Sequence, residues 1–326
     1  MDLQGSPDTR AGHVSGGHSL LLLYSCPALA VRRETPSMKS LKILNIHDEK
    51  RSSMTNPPPL AGRTALITGA SAGIGRDLAL VFAENGFDLV LVARRKERLE
   101  ALSQEVQGKF GVSSHIIALD LTDPQAPANI EAELEAQGIT IDALINNAGY
   151  SVTGHFGTTQ WQDQAGLLQV MVTSVAELCH RFAPGMAKRG YGRIINVASL
   201  AGHLPGAAGG TLYSASKSFV IKMSESLSLE LTNDNVHVTA LCPGFTYSEF
   251  HDVAGNRDEV SKMPNMLWMD SETVARQAYD AVMRGDPVYI NGRVNRLVAL
   301  LARWLPQAPV RKLMAKQERN AVNRAD

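Results

Sequence analysis

Thr68-Gly69-Ala70-Ser71-Ala72-Gly73-Ile74-Gly75 follows the apolar run Thr64-Ala65-Leu66-Ile67 and precedes the helical pattern Leu78, Leu80, Val81, Phe82. The order is strand, glycine turn, helix. Gly69 lets the chain reverse tightly, Gly73 removes a side chain where a pyrophosphate approaches the backbone, and Gly75 lets the new helix pack close to the sheet. The helix start offers unpaired N–H groups and roughly half a positive charge to that phosphate. Glycines also mark ordinary turns, but the strand-to-helix setting favours dinucleotide binding, with Gly69, Ser71, Gly73, Ile74 and Gly75 at the cofactor.

Downstream, short apolar runs alternate with helical stretches, the signature of a parallel sheet with crossover helices on both faces. The expected fold is therefore α/β: a Rossmann-like, doubly wound parallel sheet of about seven strands, a single domain with a C-terminal helical extension. Phe87-Asp88-Leu89-Val90-Leu91-Val92-Ala93 reads as the second strand. The residue just past it faces the adenosine ribose, where an acid bonds a 2'-hydroxyl and a base pairs a 2'-phosphate. Arg94-Arg95-Lys96 offers no acid there, and a planar guanidinium at Arg94 would grip phosphate in two places, so NADP(H) is preferred, with NAD(H) the alternative. A third strand over Ser114-His115-Ile116-Ile117-Ala118-Leu119 runs into Asp120, expected to accept from the adenine amino group, and into Asp123, expected to cap a helix opened by Pro124. A fourth, Ala143-Leu144-Ile145, runs into Asn146-Asn147-Ala148-Gly149, where small and amide-bearing residues suit close backbone approach to a ligand.

Residues 160 to 189 read as a long helix broken late by Pro184. A fifth strand, Arg193-Ile194-Ile195-Asn196-Val197-Ala198, ends at Ser199, and beyond a glycine-rich loop Tyr213 and Lys217 share one face of a helix running through Leu231. Hydride transfer to a carbonyl makes an alkoxide that needs a proton. Free tyrosine titrates near 10 and must fall by roughly 3 units, about 4 kcal/mol of differential stabilisation, to serve near neutral pH. Lys217 and an oxidised nicotinamide would supply that between them, and Lys217 would also hold the nicotinamide ribose. Ser199 would donate a hydrogen bond to the substrate oxygen as charge develops on it.

With Thr68 to Gly75, Asn146 to Gly149, Ser199, Tyr213, Lys217 and Pro243-Gly244 in this order, the chain resembles the short-chain dehydrogenase/reductase family over roughly residues 62 to 290. The resemblance implies an NADP- or NAD-dependent oxidoreductase with Tyr213 as acid and base, Lys217 as its partner and Ser199 as the carbonyl anchor. It further implies contact of the Pro243, Gly244 and Thr246 backbone with the nicotinamide carboxamide, and a homodimer or homotetramer. The resemblance is nearest to members acting on lipid-like ketones, steroids or 3-oxoacyl groups, so the expected substrate is a small-to-medium hydrophobic carbonyl or alcohol. Two positions depart from the family pattern. Counting back from Pro184-Gly185-Met186, Met171 stands where an asparagine usually holds a water of the proton relay, which favours an alternative as a catalytically weak NADPH-sensing module. The loop around Gly206-Ala207-Ala208-Gly209-Gly210 is one residue longer than usual, which alters the substrate mouth.

The remaining features bound the partners. Equal counts of 32 basic and 32 acidic side chains leave no global field for nucleic acid. Cys26, Cys179 and Cys242 are odd in number and far apart, which fits a reducing, cytoplasmic setting. No metal-ligand spacing and no membrane-spanning apolar run occur. Residues 1 to 60 carry no pattern that could pack and are expected to form a disordered extension, with Met54 a plausible true start; residues 61 to 290 form the catalytic domain. Phe250 to Trp268 reads as a substrate lid, with Met263, Met266, Leu267, Trp268 and Met269 lining an apolar mouth, followed by a capped helix start at Ser271. Residues 291 to 326 hold eight basic residues against Glu318 and Asp326, a local charge of plus six, with Leu297, Leu300, Leu301, Trp304 and Leu305 on one helical face. Such a stripe packs on its own domain or a partner subunit, or lies on an anionic membrane surface.

Overall fold

Seven runs become parallel strands; the five between the edges are buried along most of their length, the condition under which a strand reads as continuously hydrophobic rather than alternating, and the two edge strands are half-buried. The computed structural model describes residues 62–206, 208–253, 257–261 and 263–304. The expectations placed on residues 1 to 60, including a start at Met54, and on Leu305 and the tail beyond it, lie outside these. In chain order the elements are β1 (Thr64–Thr68), α1 (Gly73–Glu84), β2 (Asp88–Ala93), α2 (Lys96–Phe110), β3 (Ser114–Ala118), α3 (Ala126–Ala136), β4 (Ala143–Asn146) and α4 (Trp161–Leu168). They continue with α5 (Ser174–Arg189), β5 (Gly192–Val197), α6 (Thr211–Glu230), β6 (Val236–Cys242), β7 (Phe245–Tyr247), the short α7 (Phe250–Val253) and α8 (Arg257–Val260), β8 (Trp268–Asp270), α9 (Ser271–Arg284), β9 (Val288–Ile290) and α10 (Arg293–Trp304). The large sheet has the order β3-β2-β1-β4-β5-β6-β9, with every pair parallel, and β7 pairs with β8 in a separate ribbon.

One face of the sheet is covered by α1, α2 and α9, whose buried Leu78, Phe82, Leu99 and Val274 pack on Ile67, Leu89 and Leu91. Phe82 anchors this layer, its ring meeting the edges of Phe87 and Tyr279 at 5.1 Å each. The other face is covered from α3, α5 and α6, through Ile130, Leu178 and Met186 and the partly buried Met223 and Leu227. Strand order reverses between β1 and β4, and ligands of such sheets bind in the crevice outside the strand carboxyl ends at that point. The ends of β1, β4 and β5 are therefore the place to look.

Local differences from the sequence reading each have a cause. Pro184 does not break its helix: α5 continues through it to Arg189, because Pro184 and His180, whose carbonyl loses its donor, both face solvent. The irregularity lies earlier, in a π-helical turn at Gln169–Thr173 that joins α4 to α5 and holds Met171. Asp123 does not cap α3. Its Oδ1 accepts from the Gln125 amide at 2.9 Å in a local turn, and the helix begins at Ala126 with Pro127 in its first turn. The cap of α9 is Asp270 rather than Ser271, its carboxylate accepting from the Thr273 amide at 2.7 Å.

Candidate active site

Thr68, the last residue of β1, ties the first two strand ends together. Its hydroxyl donates to the Ile145 carbonyl (3.3 Å) and accepts from the amides of Asn147 (3.0 Å) and Ala148 (3.1 Å). The Asn147 side chain donates back to the carbonyls of Thr68 (3.0 Å) and Gly69 (3.3 Å), so this amide braces the glycine loop. Gly69 and Gly73 have φ of 67° and 53°, left-handed conformations that cost little only without a Cβ. A methyl at Gly73 would lie 2.9 Å from Ser248 Cβ, and one at Gly75 only 2.3 Å from both Asn147 Nδ2 and the Gly69 carbonyl oxygen. Ala72 precedes α1 with no side-chain cap, which leaves the first N–H groups of that helix for a ligand. A narrow glycine cradle ending in uncapped helix donors fits the pyrophosphate of a dinucleotide.

Past β2, Arg94 and Arg95 both line the same cavity. The Arg94 guanidinium is largely exposed and lies 3.6 Å from the Asp120 carboxylate, whose other oxygen accepts from the Thr122 amide at 2.9 Å. Asp120 is thus placed as the counter-charge of Arg94. Arg95 is the better held of the pair. It donates to the Ser71 hydroxyl (3.1 and 3.3 Å) and to Glu249 (2.9 Å), which also accepts from Arg98 at 2.7 Å. These arginines, Arg98 foremost, hold the Glu249 carboxyl below the usual carboxylate range. The arginine pair was visible in the sequence, but nothing there linked Arg95 to an acid 154 residues away.

Ser199 lies two residues past β5, where its hydroxyl caps the short turn Leu200–His203 by accepting from the Ala201 amide at 3.1 Å, and α6 carries Tyr213 and Lys217. The buried Lys217 ammonium donates to the Val197 carbonyl at 2.8 Å and sits 5.7 Å from the Tyr213 ring centre. Burial pushes its pKa down to about 8, and the neighbouring Cys242 acts weakly in the other direction. The Cys242 thiol is itself driven by burial up to about 12. Burial also raises the Tyr213 phenol, against a smaller lowering effect of its hydrogen bond with the Ser199 hydroxyl. The protein alone therefore keeps this phenol protonated, whereas the sequence reading required it to fall; only further positive charge beside it would bring that about. Met171 is buried under this group: a methyl built on Gly149 would lie 3.1 Å from its sulfur and 3.8 Å from Lys217 Nζ.

A single cavity of about 740 Å³ joins these parts, within the usual range of ligand clefts. Ser199, Tyr213 and Lys217 line it together with Gly69, Ser71, Gly73, Ile74, Arg94, Asp120, Asn147, Ala148, Gly149, Pro243, Gly244 and Thr246. Gly75 is absent from the lining because it is buried beneath the loop. Apolar lining comes from Leu121, Tyr150, Val170, Leu204, Phe250 and Val260, with the Phe250 ring 5.8 Å from that of Tyr213. The expected run Met263, Met266, Leu267, Trp268 and Met269 lines none of it. Trp268 is stacked on Tyr247 at 4.7 Å in the small ribbon, Met269 packs on the core, and Met263 and Met266 are exposed.

Residues 63–258 match the model of the short chain dehydrogenase family. An uncharacterized oxidoreductase of Myxococcus xanthus is 34% identical over 224 residues, spanning 69% of this chain and 85% of that protein. Among solved structures, a short-chain dehydrogenase from Sphingobium yanoikuyae in complex with NADPH superposes with a TM-score of 0.66 at 34% identity, covering 76% of this chain and 97% of that one. The bulky-bulky ketone specific alcohol dehydrogenase of Comamonas testosteroni does so with a TM-score of 0.62 at 31% identity, covering 76% and 96%.

Proposed function

The chain belongs to the short-chain dehydrogenase family and is an oxidoreductase of the carbonyl–alcohol couple using a nicotinamide cofactor; from that premise we propose an NADP(H)-dependent reductase of small-to-medium hydrophobic ketones, with Tyr213 as general acid and base. The observation that carries this reading is the one cavity in which Ser199, Tyr213 and Lys217 meet the glycine cradle and the Arg94–Arg95 pair. The arginines supply positive charge where a 2'-phosphate would lie, and no acid stands at the end of β2 to bond a free 2'-hydroxyl. Gly69 and Gly73 admit the pyrophosphate, the start of α1 donates to it, and Pro243, Gly244 and Thr246 flank the nicotinamide end.

When bound, the nicotinamide supplies a hydride to the carbonyl carbon or accepts one from the alcohol. Ser199 donates a hydrogen bond to the substrate oxygen and holds it beside the phenol. Tyr213, kept protonated by burial, gives its proton to that oxygen during reduction and takes it back during oxidation. Lys217, whose pKa burial lowers to about 8, stands 5.7 Å from the Tyr213 ring centre, where its charge favours the phenolate and its amine passes a proton on after the transfer. Leu204, Phe250 and Val260 exclude water around the substrate. The aliphatic and aromatic lining favours ketones carrying carbon substituents on both sides, in keeping with the Comamonas relative's bulky-bulky ketones. Assembly as a homodimer or homotetramer is part of the same proposal.

Oxidation of NADPH against a panel of hydrophobic ketones, 3-oxoacyl esters and aldehydes, repeated with NADH, tests this. Turnover of at least one ketone, faster with NADPH, is the expected result. Tight NADPH binding without turnover of any compound would favour a sensing module instead, for which the buried Met171 beside Lys217 is the supporting observation.

A further inference from the structure

We infer that the outward face of α10 is a docking surface for an anionic lipid bilayer. The helix turns Asn295 and Ala299 into the domain, and Asn295 packs on Gly244 while its amide donates to the Asn291 carbonyl at 2.8 Å. Its other side presents Leu297, Leu300, Leu301 and Trp304, which are 55%, 54%, 48% and 78% exposed. Met266, on the turn Asn265–Leu267 that α10 packs against, is 70% exposed and enlarges the apolar surface. Large apolar side chains grouped on one face mark a contact surface rather than a random surface composition.

Charge selects the occupant. Between residues 291 and 304 the only ionisable side chains are Arg293, Arg296 and Arg303. At helical spacing Arg293 falls within the apolar stripe, and Arg303 falls at its edge beside Arg296. Arg296 is fixed there by its bond to the Ile290 carbonyl at 2.9 Å and by its position 4.9 Å over the Tyr289 ring. The sequence beyond adds Arg311, Lys312, Lys316, Arg319 and Arg324 against Glu318 and Asp326. A second copy docking about a two-fold axis would bring these arginines against themselves with no carboxylate on the face to pair them. Anionic headgroups pair them directly, and a terminal tryptophan suits the boundary between headgroup and acyl chain. Among the described residues no helix is long and apolar enough to cross a membrane, so α10 would lie in the plane of the interface, held by its apolar stripe and its basic residues together. Asn295 touches Gly244, which lines the active-site cavity, so the docked helix would be one side-chain layer from the site. The proposal does not depend on which carbonyl is reduced.

The test is flotation of the full-length protein with vesicles of phosphatidylcholine alone and with vesicles containing roughly one-third phosphatidylserine. The native protein is expected to float with the anionic vesicles, to stay behind with the neutral ones, and to be released by salt. Arg293→Gln with Arg303→Gln should weaken the anionic binding about 25-fold, from about fivefold per surface arginine. Leu300→Ser, Leu301→Ser and Trp304→Ser together should abolish it while leaving the thermal melt and NADPH binding unchanged. Native protein that never floats, or variants that float as well as the native chain, would overturn the proposal. A fall in oligomeric mass by light scattering in the serine variant, with no flotation of the native protein, would instead make this face a subunit interface.

Discussion

Adding one methyl group at Gly75 should damage stability and cofactor binding together. The new Cβ would lie 2.3 Å from the Gly69 carbonyl oxygen and 2.3 Å from Asn147 Nδ2, well over 0.5 Å inside ordinary contact on two sides. The helix cannot retreat, because α1 is pinned through Leu78 and Phe82 to the core, so the Asn147 amide and the loop must move. That motion breaks the Asn147 bonds to Thr68 and Gly69, at about 1 kcal/mol each, and adds roughly 1–3 kcal/mol of overpacking. Alanine's better helix propensity returns at most about 1 kcal/mol. The net expectation is a loss of about 2–4 kcal/mol, or roughly 5–15 °C in Tm for a domain of this size. NADPH binding should weaken about tenfold or more, since each 1.4 kcal/mol lost from the cradle geometry is a factor of ten. Gly108, within α2 and with nothing within 4 Å of a built methyl, is the control, and Gly108→Ala should gain about 0.5–1 kcal/mol. Urea unfolding followed by circular dichroism, with a fluorescence titration of NADPH, measures both. A Gly75→Ala protein as stable as the native one, with unchanged NADPH affinity, would show that the loop and Asn147 accommodate the methyl group without cost.

Further expectations concern charge. Arg95→Gln should weaken NADPH about fivefold and leave NADH unchanged, a solvent-discounted fraction of the ~1.5–3 kcal/mol of a charged hydrogen bond. Glu249→Gln, which frees Arg95 and Arg98 from their carboxylate, should tighten NADPH; equal shifts for both coenzymes would contradict the assignment. Lys217 has its pKa lowered by burial from 10.5 to about 8, so between these values the unfolded chain binds more protons and stability rises with pH. The burial cost is therefore present in full below about pH 8 and relieved toward pH 10.5. Lys217→Met should accordingly melt higher than native protein at neutral pH, by an amount that shrinks as pH approaches 10; a pH-independent difference would contradict the shift.

What the sequence made legible were features whose meaning is local. The loop from Gly69 to Gly75 needs its own backbone freedom, and Tyr213 and Lys217 meet through helical spacing, so both could be recognised without knowing what packs around them. Strand ends followed from continuous apolar runs, which only a doubly covered sheet explains. What stayed hidden depended on partners far along the chain. Thr68 reads as an ordinary strand residue until β4 lies beside it, and Arg95 gained its role only when Glu249 arrived from beyond β7. The three methionines between Met263 and Met269, with Leu267 and Trp268, were apolar enough for a mouth, but the β7–β8 ribbon turned Trp268 and Met269 away from the cavity. Pro184 looked like a breaker because the direction its side of the helix faces is not written in the local sequence. The raised Tyr213 phenol is a property of enclosure, set by burial among Phe250 and the surrounding walls and only partly offset by the bond with Ser199.

Turnover of a responsive ketone by Tyr213→Phe, with NADPH affinity measured on the same preparation, isolates the proton-transfer role of the Tyr213 phenol. NADPH should bind as tightly as it does to the native enzyme while the rate falls by about a hundredfold or more, the contribution of a positioned general acid. Native-like turnover in the Phe variant would contradict it.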